Sequence, residues 1–313
     1  MYYFLTALNL NKYATATAQP GLAVSNVLEV MCPLPPLNEG ERIIEKLSLL
    51  IPLIENYNVI QEKQDILNDS IKEQLKKSVL QEAIQGKLVP QIAEEGTAQE
   101  LLEQIEMEKQ NLVKEGKLKK STFASSVIFR GDDNKYCEKI GKSVQCIDEE
   151  IPFEIPESWV WVRLENGISL LSGRDLEPSQ YNDNKRGFPY ITGASNFKNG
   201  TLYVNRWTNS PITIATKGSL LLTCKGTIGA MAFNNIGAIH IARQVMAIEA
   251  YLINLQYIRY YLQFNINALE KNANSMIPGI SRNTILKMLF PLPPLAEQKR
   301  IVEKVNQLTQ LLK

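Results

Sequence analysis

Two fifteen-residue stretches of this chain are nearly identical: PLPPLNEGERIIEKL begins at Pro33 and PLPPLAEQKRIVEKV begins at Pro291. The offset of 258 residues also aligns Tyr2-Tyr3 with Tyr260-Tyr261. Internal repeats limit the possible folds, and this period is far too long for a solenoid. We therefore expect residues 2–55 to repeat the structure of residues 260–313, so that the chain begins in the middle of a repeat unit.

The composition allows a sizeable core, since 44% of the 313 residues are hydrophobic and 21% are charged. This length suggests about two domains. The sequence has neither a long apolar run nor a basic segment followed by a cleavage site, so we expect no membrane span and no signal peptide. The four cysteines lack zinc spacing, and the single histidine, His240, could not complete a metal site. We expect reduced thiols, no metal and a cytoplasmic location.

Charge is unevenly distributed along the chain. Residues 158–290 contain thirteen Lys and Arg but six Asp and Glu, a net charge of +7, so the remainder carries −6 within a total of +1. A basic domain attached to acidic helices favours a polyanionic partner for that domain. The alternative is an imbalance without function on a solvated surface.

Residues 37–87 have the pattern of one long helix. Its narrow apolar stripe, at spacings of four, three and four, consists of Ile43, Leu47, Leu50 and Ile54. A stripe this narrow is typical of a helix that pairs with one other helix. Gly86 and Pro90 mark its end, and Pro52 is expected to kink or break it near Leu49.

Two further helices are predicted. Thr97 and Glu100 have the spacing of a capping box, which begins a helix that runs to about Glu115. Another helix begins near Leu295, and we expect it to pack antiparallel against the first, as in a coiled coil. The predicted seam consists of Ile43, Leu47, Leu50, Ile54, Ile301, Val305 and Leu308.

The rest of the chain divides into a linker and a globular domain. Residues 116–151 are polar around the sequence GDDN and predict a linker. From residue 152 onward, short β-rich runs alternate with turns and are followed by the amphipathic segment YLINLQYIRYYLQF. Trp159 and Trp161 could stack on a base, but strand-face aromatics more often belong to a core. Residues 152–294 are therefore predicted to form one α+β domain.

Motifs for catalysis are lacking. The sequence has no GxxxxGK[ST] phosphate loop, no GxGxxG after a strand and no GxSxG turn. A Ser-His-Asp or Cys-His arrangement would depend entirely on His240. We predict a non-catalytic chain that needs no cofactor, although metal-dependent cleavage by the purified chain would support a nuclease instead.

The basic domain carries long polar side chains in its turns, where they could reach DNA. Arg and Lys match guanine O6/N7 in the major groove, and Asn and Gln match adenine N6/N7. Each could instead be a solvated loop residue. The candidate DNA-binding residues are Arg174, Lys185, Arg186, Asn196, Lys198, Lys225, Arg243 and Gln244.

The repeated PLPPLxExxRIxEK, placed after a basic domain and before a long helix, resembles the conserved region of type I restriction–modification specificity subunits. SVLQEAIQGKLVPQ resembles the end of their central helix, IPFEIPESWVWVRLENG the entry to a target recognition domain, and GFPYITGASNFKNG and KGSLLLTCKGTIG its internal turns. The resemblance implies a target recognition domain joined to long antiparallel spacer helices. It also implies that the chain binds double-stranded DNA and methyltransferase (modification) subunits, and through them a restriction subunit.

On this resemblance the chain divides into five parts. Residues 1–36 correspond to the tail of a first target recognition domain, 37–115 to the helical spacer, 116–151 to the linker, 152–294 to a complete recognition domain and 295–313 to the start of the distal helix. A truncated or recombined gene or a half-subunit that self-associates would explain the missing domain body. A different class of function is also open: a coiled-coil scaffold whose globular domain binds protein.

Overall fold

The computed structural model describes residues 2–8, 22–118, 126–271 and 279–312. The chain divides into two compact units, Met1–Ile71 and Lys72–Lys313. The first unit contains two short helices, α1 (Tyr2–Ala7) and α2 (Val24–Leu28), and most of the long helix α3 (Leu37–Ile84). The sequence of the first repeat copy predicts a strand over Val27 to Met31, but α2 occupies its first residues and no strand follows before α3.

Helix α3 is continuous over 48 residues. It passes through Pro52, so the predicted break near Leu49 does not occur. One proline removes one backbone hydrogen bond, and the intact turns on both sides maintain the helix. The helix ends as predicted: Gly86 has a φ of +72°, and Lys87 N donates to Glu82 O at 2.9 Å. Among the described residues, no helix is both long enough and apolar enough to cross a membrane.

Helix α4 (Ala98–Lys114) begins as the sequence predicts. The Thr97 side chain accepts from Glu100 N, and the Glu100 side chain accepts from Thr97 N, which completes the capping box. Leu101 and Ile105 on one face of α4 are buried in the main core of the second unit. The helix is therefore attached to the globular part of the chain by its apolar face.

The prediction of a linker over residues 116–151 is wrong for most of its described part. Residues 126–146 form a three-stranded antiparallel sheet in the order β1 (Ser126–Arg130), β2 (Tyr136–Ile140) and β3 (Ser143–Cys146). The GDDN sequence is a hairpin turn, in which Gly131 N donates to Lys135 O at 2.9 Å. Tyr136 and Ile147 form a small core with Trp161. Residues 119–125 lie outside the described residues.

The larger β structure consists of two sheets, a hairpin and a strand pair. The strands are β4 (Val160–Arg163), β5 (Ile168–Ser172), β6 (Tyr181–Asn182), β7 (Phe188–Ile191), β8 (Phe197–Lys198), β9 (Thr201–Leu202), β10 (Trp207–Thr208), β11 (Ile214–Ala215), β12 (Leu220–Thr223), β13 (Met231–Phe233), β14 (Ile239–Ile241), β15 (Val245–Ala250) and β16 (Leu289–Leu292). The four-stranded sheet has the order β13-β12-β15-β5, the five-stranded sheet has the order β11-β14-β7-β10-β6, and β8-β9 and β16-β4 pair separately.

Strand β12 of the four-stranded sheet is buried on both faces, which explains its continuous apolar sequence. In β12, Leu220 and Leu222 belong to the main core with Tyr257. Leu221, between them, belongs to a second core with Ile191 of the five-stranded sheet. Since successive side chains of a strand point to opposite faces, a strand covered on both sides needs an unbroken apolar run rather than an alternating one.

Three helices complete the second unit: α5 (Leu255–Lys271), α6 (Arg282–Leu286) and α7 (Leu295–Leu311). Ile301 and Val305 of α7 are fully buried in the main core, which also contains Ala83 and Ile84 at the end of α3. The predicted seam partners Ile43, Leu50 and Ile54 are exposed, while Leu47 and Leu308 are half-buried. The predicted seam would join the two units and stays a prediction; within the second unit, α7 buries Ile301 and Val305 of its apolar stripe in the globular core.

The internal repeat is visible in the structure. A shift of 258 residues places α2 on α6, and the start of α3 at Leu37 on the start of α7 at Leu295. The same shift places Leu34 on Leu292, yet Leu34 is 88% exposed and Leu292 fully buried. Leu292 belongs to β16, which pairs with β4. Residues 31–36 are not in a strand among the described residues.

Candidate nucleic-acid interface

The turn between β14 and β15 is the point at which several loops of the domain meet. Val245 N donates to Ala242 O at 2.9 Å and closes this turn. Ala242 N donates to Ile191 O at 2.9 Å, and Cys224 N donates to Gln244 O at 2.8 Å. The loops that follow β7 and β12 are thereby fixed to the turn by backbone hydrogen bonds.

The loop after β5 joins the same turn. Arg174 N donates to Ile241 O at 3.0 Å, and a side chain on Gly173 would lie 2.1 Å from Ala242 O, so only glycine permits this approach. The His240 ring supports the loop from within: Nε2 lies 3.0 Å from Arg174 O, and Nδ1 lies 3.1 Å from Thr213 N and 3.0 Å from Thr213 O. Burial lowers the pKa of His240, so the ring serves as a neutral structural group.

A cleft of about 510 Å³ opens at this junction. It is lined by Lys225, Arg243 and Gln244, together with Gly226, Gly279, Ile280 and Ser281. Gly279 enters the site because its backbone bridges to Lys225, and Ile280 N donates to Cys224 O at 2.8 Å. Three of the candidate DNA-binding residues thus share one cleft.

Arg174, Lys225, Arg243 and Gln244 together form what we call the loop cluster. All four side chains are exposed, while the residues that fix their loops, such as Ile241 and Cys224, are buried. The buried, hydrogen-bonded residues fix the backbone of these loops, so that binding needs to order the exposed side chains but not the loops themselves.

One member of the loop cluster is paired with a neighbouring carboxylate. Asp175 Oδ1 accepts from Arg243 N at 3.1 Å, and Asp175 Oδ2 forms an ion pair with Arg243 Nε at 2.7 Å. The carboxylate therefore contacts both the backbone and the side chain of Arg243. The sequence analysis did not select Asp175, because an acidic residue does not suggest contact with DNA. Its position directly after the candidate residue Arg174 is the one sequence feature that could have indicated a role in the site.

The other candidate residues lie apart from the loop cluster. Lys185 and Arg186 are exposed in the loop before β7, at the opposite end of that strand from its junction with Ala242. The Asn182 side chain holds this loop through the backbone N and O of Arg186, at 3.1 and 2.9 Å. Lys198 is exposed on the β8-β9 hairpin, with Nζ 4.6 Å from the centroid of the Tyr203 ring.

Asn196, which the sequence analysis selects as a DNA-binding residue, does not belong to the candidate interface. Its side chain is fully buried, and Oδ1 accepts from Thr192 N at 2.9 Å and from Gly193 N at 3.3 Å. Its Nδ2 donates to Tyr203 O and Asn205 Oδ1 at 2.8 and 3.2 Å. All its hydrogen-bonding groups are used within the loop, so Asn196 shapes the fold and is not available to read a base.

The sequence also offers two tryptophans that could stack on a base, and it predicts no metal site. Trp159 and Trp161 are buried in cores, as strand-face aromatics usually are. Arg206, which the sequence analysis did not single out, is exposed, with its guanidinium carbon 4.9 Å from the centroid of the Tyr181 ring. In the described ranges, no three His, Cys, Asp or Glu side chains come together so as to hold a metal ion.

A match to a protein-family model identifies the family of this chain. A model described as the type I restriction modification DNA specificity domain matches residues 156–313. The chain belongs to this family. The match spans the larger β structure, the loop cluster and the second copy of the repeat, so the specificity domain is the part of the chain in which the candidate interface lies.

Two relatives of this chain are named as specificity subunits of type I restriction enzymes. The type I restriction enzyme EcoAI specificity subunit of Escherichia coli is 27% identical over 277 residues, which cover 82% of this chain and 44% of that protein. The putative type I restriction enzyme MjaX specificity subunit of Methanocaldococcus jannaschii is 26% identical over 168 residues, covering 51% of this chain and 38% of that protein. The chain thus spans less than half of either relative.

The fold has known counterparts. The crystal structure of the HsdS subunit from Thermoanaerobacter tengcongensis matches with a TM-score of 0.54 at 20% identity, covering 99% of this chain and 60% of that one. A structure described for complex assembly and conformational transition of the type I R-M system matches with a TM-score of 0.56 and the same identity and coverage. Both likenesses support the fold of a β-rich recognition domain with a long helix.

Proposed function

We propose that this chain recognises double-stranded DNA through the loop cluster. The observation that carries the proposal is the convergence of four exposed side chains, three cationic and one amide, at a junction of loops in a basic domain. Cationic groups bind phosphates or guanine, and an amide can pair with adenine. The family description, a DNA specificity domain, supports the same function.

We further propose that the chain acts as the specificity part of a type I restriction–modification complex. It would direct modification subunits, and through them a restriction subunit, to a DNA target, and would carry no catalytic group itself. This rests on the names of its relatives, which are specificity subunits of restriction enzymes. Self-association, which would bring two recognition domains to one DNA, stays a prediction, as do the contacts expected for Lys185, Arg186 and Lys198.

Replacing Lys225 with alanine should weaken binding of the full chain to duplex DNA. A phosphate contact releases counterions, so its loss should also lower the slope of log affinity against log salt concentration by about 0.9. Fluorescence anisotropy with a labelled duplex, at several salt concentrations, measures both quantities.

Lys217→Ala is the matched control, because Lys217 is also an exposed lysine but precedes β12, whereas Lys225 follows it. We expect its affinity and slope to equal those of the unchanged chain. Equal slopes for all three proteins would place Lys225 away from DNA. A complete lack of salt-dependent DNA binding by the unchanged chain would instead favour the protein-binding scaffold.

A further inference from the structure

The pairing of Asp175 with Arg243 leaves a specific part of the guanidinium available. The backbone N of Arg243 donates to Asp175 Oδ1, and Nε lies 2.7 Å from Oδ2 of the same carboxylate. Within the described parts of the chain, no hydrogen-bond partner is seen for the two Nη groups, and the Arg243 side chain is 67% exposed. The guanidinium is thus held at one edge and presents its other edge at the rim of the cleft.

The charge of this pair favours a neutral acceptor over a phosphate. The Asp175 carboxylate, 2.7 Å from Nε, lowers the net charge presented by this pair and makes Arg243 a poorer partner for a phosphate than an unpaired cation. The guanine edge is uncharged, and its O6 and N7 accept two parallel hydrogen bonds from a planar guanidinium. No ion pair is seen for Lys225 in the described ranges. Its positive charge is therefore not offset by a carboxylate and suits a phosphate.

We propose that Arg243 determines specificity by reading a guanine in the DNA target, and that Asp175 is a positioning residue that holds Arg243 without contacting the DNA. This inference rests on the proposed function and adds the base, the side chain and the group that orients it. Asp175 restricts the orientations of Arg243 before binding, whereas an arginine without such a partner would lose more conformational entropy when it is ordered on the DNA.

The test is selection of binding sites from a library of random duplexes by the full chain and by Asp175→Asn, Arg243→Ala and Lys225→Ala. We expect the unchanged chain to enrich a motif with guanine at one position. Asp175→Asn and Arg243→Ala should each reduce the preference for that guanine by about tenfold and leave the other positions intact. Neither should change the salt slope of binding by as much as Lys225→Ala, which should retain the guanine preference.

Two outcomes would overturn the inference. An enriched motif that is unchanged in Asp175→Asn and Arg243→Ala would show that the pair does not read a base. A uniform loss of affinity across all positions in Asp175→Asn would show that the carboxylate only maintains the turn; thermal unfolding of the same samples would show that loss of structure directly. If the unchanged chain enriches no motif at all, the proposed function fails, and this inference fails with it.

Discussion

Arg163→Ala should lower the free energy of unfolding of the second unit by about 3–5 kcal/mol, because it leaves a buried carboxylate without its partner. Arg163 Nη2 lies 2.7 Å from Glu138 Oε2, and Nε donates to Oε1 at 3.0 Å. The two side chains are 12% and 3% exposed. Denaturant unfolding followed by tryptophan fluorescence measures the effect, since Trp159, Trp161 and Trp207 all lie in the second unit.

The effect of Arg163→Ala should depend on pH. Hydrogen bonding from Arg163 lowers the pKa of Glu138 below its usual value of 4.5, so this stabilisation is present above pH 4.5 and lost as the pH falls through the lowered pKa. The difference between Arg163→Ala and the unchanged chain should therefore narrow in acid.

Arg130→Ala is the matched control for Arg163→Ala. Arg130 pairs with Glu154, but their side chains are 43% and 77% exposed, and exposed ion pairs contribute about 1 kcal/mol or less. Arg163 and Glu138 join β4 to the three-stranded sheet, so a small, pH-independent effect of Arg163→Ala would mean that this sheet is only loosely attached, as a linker would be.

The repeat provides a second pair of variants with very different expected effects. Ile301→Ala should destabilise the second unit by about 2–5 kcal/mol, because it opens a cavity beside Val305 and Ile84 in the main core. Ile43 occupies the same place in the first copy of the motif, but it is 44% exposed, whereas Ile301 is fully buried.

Ile43→Ala should therefore leave the tryptophan-detected unfolding transition within about 0.5 kcal/mol of that of the unchanged chain. Circular dichroism of both variants before unfolding would confirm that each retains its helices. Equal destabilisation by Ile43→Ala and Ile301→Ala would contradict the difference in environment between the two copies, and would support the helix seam that the sequence predicts.

The parts of the fold that could be predicted are those with local signals. The capping box of Thr97 and Glu100 predicts α4, and the two copies of PLPPL predict the helix starts at Leu37 and Leu295, because these signals act within a few residues. The three-stranded sheet was missed because its strands include charged residues such as Glu138, which is buried in an ion pair with Arg163. That partner is distant in sequence.

The candidate site likewise combines features that local sequence predicts with features that depend on contacts distant in sequence. Arg174, Lys225, Arg243 and Gln244 were selected as long polar residues in turns, but their convergence depends on backbone hydrogen bonds between loops. Asn196 was wrongly selected, because nothing in its sequence distinguishes an amide that reads bases from one that closes its own loop. The position of α7 could not be derived either, since an apolar stripe fits a globular core as well as a coiled coil.

The central claim is that the loop cluster confers DNA specificity on a type I restriction–modification complex. Methylome sequencing of cells that make this chain with its modification subunits tests it most directly. We predict one methylated sequence motif, which is lost or altered when Arg174, Lys225, Arg243 and Gln244 are all replaced with alanine, and which is retained when the remote Lys217 is replaced. The same motif at the same occupancy with the fourfold variant, or no methylated motif with the unchanged chain, would contradict the account.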